Sequence, residues 1–106
     1  MDENFKAIYT ILRKLERAMD CQEFDSESIS ANTLGITRER WKRIIEMLVV
    51  SGYVTGITVS RDMGNDINIG FVSPTITLKG LEYLEENALM QRAYKTAKGI
   101  RDLLPM

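Results

Sequence analysis

One local device occurs three times in this chain and marks a helix start each time. Ile29-Ser30 is followed by Leu34, Ile36-Thr37 by Trp41, and Ile76-Thr77 by Leu81. In each, the Ser or Thr hydroxyl can accept from the first free N–H groups of a helix. The isoleucine before it can pack on the apolar residue four positions after the hydroxyl. Gly35 and Gly52 suit the left-handed position that ends a helix. The spacing therefore predicts a short helix over 31–34 and a longer one from Thr37 to about Ser51, with Trp41, Ile44, Ile45 and Leu48 turned inward. Upstream, Phe5, Ile8, Leu12, Leu15 and Met19 recur at steps of three and four, an apolar stripe that predicts a helix over 4–20. Residues 20–28 are acidic and Ser-containing, with Phe24 as the single apolar anchor, and read as a loop.

The hydrophobic period changes after Gly52. Residues 57–61 and 67–71 alternate, the period of strands. Met63, Gly64, Asn65 and Asp66 between them suit a turn that needs positive φ. Pro74 is expected to end the second strand, since it cannot donate to a ladder. A last helix opens at Thr77, runs through Leu78, Leu81, Leu84, Ala88 and Leu89, and continues to about Lys98 before Gly99. The fold class is mainly α with a small β-hairpin (α+β): a winged helix-turn-helix in the order αααββα with a long C-terminal helix. At 106 residues against roughly 150 per domain, one domain is expected, with residues 1–86 as the winged-helix unit and 87–106 as its helical extension. A lone hairpin is marginal in water, so Ile57, Val59, Ile67, Ile69 and Phe71 are expected to press one face on the helices.

Three stretches resemble a known family. Asn4-Phe5-Lys6-Ala7-Ile8-Tyr9, the turn Leu34-Gly35-Ile36-Thr37 leading into Trp41, and Ile76-Thr77-Leu78-Lys79-Gly80-Leu81-Glu82-Tyr83-Leu84 are together similar to the YjcQ-like family, small proteins of Gram-positive bacteria and their prophages. The resemblance spans nearly the whole chain and is most specific over 76–84. It implies a winged-helix fold and a bacterial or phage source, and it assigns no functional residue.

Composition narrows the chemistry. The chain has no His, which excludes Cys/His zinc sites and imidazole acid–base work. Cys21 is the single cysteine, so no internal disulfide forms, and the neighbouring Asp20 and Glu23 disfavour its thiolate. Glu85 and Glu86 are adjacent and diverge on a helix. The glycines Gly64 and Gly70 read as hairpin residues rather than a phosphate loop. The expectation is a non-enzyme with no cofactor and no metal. No stretch approaches the ~18 apolar residues of a spanning helix. The acidic start Met1-Asp2-Glu3-Asn4 lacks the features of a signal peptide, so a cytoplasmic protein is expected.

The third helix carries the binding signal. Arg38, Arg40, Lys42 and Arg43 are opposed locally by Glu39 alone, four cations against one acid for a net +3 over residues 37–43. The N-terminal part of the second helix in a helix-turn-helix reads bases and phosphates, so double-stranded DNA is the expected partner. Arg61 and Asn65 on the hairpin would assist, although Asp62 and Asp66 flank them. Three observations point the other way. Glu39–Arg43 and Lys42–Glu46 have the spacing of helical ion pairs. Glu46 and Val50 share the outer face. The isoelectric point of about 5.5 lies well below the ~9 common in nucleic-acid domains.

The C-terminal helix supports a rival reading. Leu89, Ala93, Ala97 and Ile100 form a second apolar stripe with Met90 and Tyr94 beside it. A homodimer or a protein partner could dock on Leu89, Met90, Ala93, Tyr94 and Ala97, or the stripe could pack back on the first helix.

Overall fold

The structure is a computed structural model and describes residues 2–88. The first helix, α1 (Glu3–Arg17), is capped by the Asp2 carboxylate accepting from the Asn4 N–H at 2.8 Å. It tightens into a 3-10 turn at Ala18–Asp20. A second 3-10 turn, Ser26–Ile29, leads into α2 (Ala31–Leu34) and then α3 (Arg38–Val50). The strands β1 (Val54–Arg61) and β2 (Ile67–Ile76) pair antiparallel. Residues 78–88 then form α4. Helices, a two-stranded hairpin and a C-terminal helix make a small winged-helix-like α+β fold.

The three expected helix starts are present with their hydrogen bonds. Ser30 Oγ accepts from Thr33 N at 3.2 Å, Thr37 Oγ1 from Arg40 N at 3.1 Å, and Thr77 Oγ1 from Gly80 N at 3.1 Å. Each such cap stabilises its helix by about 0.5–2 kcal/mol. The expected helix ends are also present. Tyr53 N donates to Leu48 O at 2.9 Å and Ile36 N to Ala31 O at 3.1 Å, the six-to-one bond of a Schellman end. Thr77 Oγ1 also donates to Gly52 O at 2.6 Å, so one hydroxyl caps α4 and ties it to the end of α3.

The core is built from α1, the 3-10 turn before α2, α3 and the hairpin. Ile11, Leu12, Leu15, Ile29, Ile44, Ile45 and Leu48 are fully buried, and Trp41, Val54, Ile57, Ile76 and Leu84 close around them. Burying one such aliphatic side chain contributes roughly 1.5–3 kcal/mol. The stripe on α1 differs from the expected one. Leu12 and Leu15 are buried, but Phe5 and Met19 are exposed, and Ala7 and Ile11 take the inward places. Ala7 and Ile11, four residues apart, set the inward line of α1, and Phe5, two residues before Ala7, falls on the other side of the helix. The 20–28 stretch contains its own 3-10 turn, with the Asp25 carboxylate accepting from Glu27 N at 3.1 Å and Phe24 packed on the core.

The hairpin is longer than the alternation indicated, and Pro74 does not end β2. Ile57, Val59 and Arg61 pair with Phe71, Ile69 and Ile67, and beyond an irregularity Thr55 and Val54 pair with Thr75 and Ile76. Between these two stretches Gly56 alone faces residues 72–74. Pro74 lies in that bulge, where its missing N–H breaks no ladder bond. Gly56 has φ +77, and a Cβ there would sit 1.8 Å from the Ser73 carbonyl oxygen. The close approach lets the sheet bend around the helices. Ile57 and Ile67 are buried, and Val59, Ile69 and Phe71 pack partly buried on the core, as a marginal hairpin requires.

Candidate nucleic-acid interface

The orientation of α3 is set by Trp41. Its indole is buried, its Nε1 donates to the Ile29 carbonyl at 2.7 Å, and its ring meets Phe71 edge-on with centroids 6.0 Å apart. With Trp41, Ile44, Ile45 and Leu48 committed to the core, helical geometry turns the residues between them outward. Arg38, Arg40 and Arg43 are exposed and Lys42 is half-buried.

These cations do not form a single cluster. Arg40 and Arg43 line one shallow cleft with Asn4, Thr37, Ile44 and Met47, where α3 passes the start of α1. Arg40 leans into it, donating to Asn4 Oδ1 at 3.0 Å, with the Glu3 carboxylate at 3.9 Å. Arg38 lies on the other flank, in a shallow cleft with Ser30, Asn32, Trp41 and Phe71.

The ion pairs that spacing alone suggested within α3 are not the ones formed. Neither Glu39–Arg43 nor Lys42–Glu46 is paired within 4.0 Å; Glu46 is held instead by Arg61 of β1, whose Nη2 donates to its two carboxylate oxygens at 2.9 and 3.1 Å. Among the described residues Arg38, Lys42 and Arg43 have no carboxylate partner. The reason is the strand period. Ile57, Val59 and Arg61 share one face of β1. The first two cover the helices, and the third emerges past the apolar rows where α3 presents Glu46. That alternation is the sequence signal that points Arg61 toward α3.

The hairpin tip is closed by its own groups. Asn65 N donates to Asp62 O at 2.9 Å, and the Asp62 carboxylate accepts from Gly64 N and Asp66 N at 2.9 and 3.0 Å. Asn65 takes the left-handed conformation, φ +66, which Asn tolerates. Arg61 Nη1 donates to the Asn65 backbone carbonyl at 3.3 Å. Both hairpin candidates are thus engaged within the wing, and Asp62 is a turn-building residue.

Where α4 meets the end of α3, Tyr53 and Tyr83 pack with centroids 5.4 Å apart, and Lys79 Nζ lies 5.3 Å from the centre of the Tyr53 ring. Burial, and secondarily the neighbouring Tyr53, push the Tyr83 phenol above its ordinary value of 10.0. No helix among the described residues is long and apolar enough to cross a membrane. Leu89, Met90, Ala93, Tyr94 and Ala97, the partner-binding candidates, lie outside the described residues.

Comparison with known proteins adds a family and no chemistry. Residues 9–103 match the profile of the YjcQ protein family. A relative from Bacillus subtilis (strain 168), described as "Uncharacterized protein YjcQ", is 33% identical over 90 residues, which cover 84% of this chain and 93% of the relative. No solved structure matches. The family match takes in the α2–α3 turn, both strands and the Thr77-capped helix start, and on that breadth the chain belongs to the YjcQ family.

Proposed function

We propose that this protein is a non-catalytic winged-helix module that binds double-stranded DNA, as a regulator of bacterial or phage genes. The observation that carries the reading is the buried Trp41, which turns Arg38, Lys42 and Arg43 of α3 outward, where they have no carboxylate partner among the described residues. That position is where helix-turn-helix proteins contact bases and phosphates. Arg38 and Arg40 lie in the first turn of α3, where a cation opposes the helix dipole by about 0.3–1 kcal/mol, a cost that binding an anion would offset. The low isoelectric point weakens long-range attraction to DNA without deciding the matter, because phosphates respond to the face presented to them.

Duplex binding measured across a salt series tests the proposal. Each neutralised phosphate contributes about −0.9 to the slope of log K against log salt, so three cations predict a slope near −3. Lys42→Glu combined with Arg43→Glu abolishes binding while the circular dichroism spectrum stays unchanged, since neither residue belongs to the core. Absence of binding at low salt, or binding indifferent to salt, overturns it.

A further inference from the structure

Arg61 carries a positive charge on the wing beside α3, and its exposure alone would make it a phosphate contact. Its geometry assigns it elsewhere. Nη2 lies between both carboxylate oxygens of Glu46, and Nη1 reaches the Asn65 carbonyl in the hairpin turn. One side chain therefore joins the end of β1 to the turn four residues on and to the middle of α3, fifteen residues earlier. Glu46 lies at helical spacing from Lys42 and from Arg43 on the C-terminal side, as Glu39 does on the N-terminal side. Held by Arg61, Glu46 is bonded to neither cation.

We propose that Arg61 is a positioning residue of the α3 face: it holds Glu46, fixes the wing against α3, and leaves Lys42 open to an external phosphate. This rests on the DNA-binding reading and deepens it, by giving the wing an indirect role in place of a direct contact. Without the Arg61 guanidinium, Glu46 turns to Lys42 one helical turn away and places a negative charge beside the face that meets the phosphates. The wing then also loses its polar tie to α3, and the hairpin end is left with the apolar contacts of Ile67 and its own turn.

Four proteins decide the matter: wild type, Arg61→Gln, Glu46→Gln and the double variant, each titrated with one duplex across a salt series. Arg61→Gln is expected to weaken binding several-fold and to reduce the salt slope by about one, through recapture of Lys42. Glu46→Gln binds at least as well as wild type. The double variant binds like Glu46→Gln, because no carboxylate remains to be held. A double variant as weak as Arg61→Gln shows that Arg61 touches phosphate itself, and overturns the proposal. Amide hydrogen exchange without DNA reads the tie separately. Glu46→Gln is expected to speed exchange at Asp62 and Ile67 several-fold while leaving α1 unchanged; unaltered exchange there overturns the wing–helix tie. Wild type that binds no duplex at low salt overturns the DNA-binding reading, and the open-lysine role with it, whereas the exchange result still stands or falls alone.

Discussion

Trp41 Nε1 donates to the backbone carbonyl of Ile29 at 2.7 Å inside the core. The bond links α3 to the 3-10 turn that precedes α2, twelve residues earlier. It satisfies a carbonyl that the buried Ile29 could not otherwise expose to water, and it fixes the rotation of α3 about its axis. The cations of α3 face outward because this indole faces inward.

Removing that donor has a measurable cost. Trp41→Phe keeps most of the apolar surface but leaves the Ile29 carbonyl unsatisfied, a penalty of about 1–3 kcal/mol. Urea denaturation followed by circular dichroism is expected to show it as a lower midpoint at unchanged slope. In the wild type the single tryptophan reports the same site, with emission that shifts to longer wavelength as the core opens.

Two left-handed glycines separate conformational strain from steric clash. Gly35 has φ +71 with nothing within 4 Å of an added Cβ, whereas Gly56 has φ +77 and the Ser73 carbonyl oxygen 1.8 Å from it. Gly35→Ala is expected to cost about 1 kcal/mol, the left-handed penalty alone. Gly56→Ala adds overpacking of about 1–3 kcal/mol and forces β1 and β2 apart at the bulge. Thermal denaturation of the two variants side by side checks the order.

The Thr77 hydroxyl serves two bonds, accepting from Gly80 N and donating to Gly52 O. Thr77→Val keeps the shape and removes both. A cap loss of about 1 kcal/mol is expected, with faster amide exchange at Gly80, which measures the start of α4 directly. Thr77→Ser is expected to retain the hydroxyl bonds and most of the stability.

Tyr83 predicts a pH dependence of defined sign. Its phenol titrates above its ordinary value of 10.0 in the folded chain, chiefly through burial and secondarily through Tyr53. A group whose folded pKa is raised contributes stability that is complete below its unfolded pKa and is lost as pH rises through the folded one. The difference in denaturation midpoint between wild type and Tyr83→Phe is therefore expected to hold steady below pH 10 and to change above it, the wild type losing more. Tyr83→Phe is expected to fall less steeply, because that side chain carries no proton to lose.

The helix boundaries, the inward set on α3 and the alternating rows of the hairpin follow from local chemistry. Ser30, Thr37 and Thr77 cap through atoms within three residues, and Gly52 ends α3 through bonds that span five. Local spacing carries such features because the interacting groups are adjacent in the chain. The partners of Glu46 and Arg40 followed a different rule. Glu46 meets Arg61 across 15 residues, and Arg40 meets Asn4 across 36. Helical spacing offered Lys42 for the one and nothing for the other. Exposed charges form pairs of low energy, of order 0–1 kcal/mol, so small differences in position decide which pair forms. Pro74 shows the same division: its chemistry excludes a ladder position, and only the bulge opposite Gly56 makes room for it inside β2. The sequence by itself determined where the helices start, where α2 and α3 stop and which side of α3 turns inward, since caps, periods and turn residues act over a few bonds. The full length of the strands and the inward side of α1 were set by packing between elements. Tertiary structure alone decided which cations of α3 stay open and what the wing arginine holds, because those depend on how separate elements come to lie against one another.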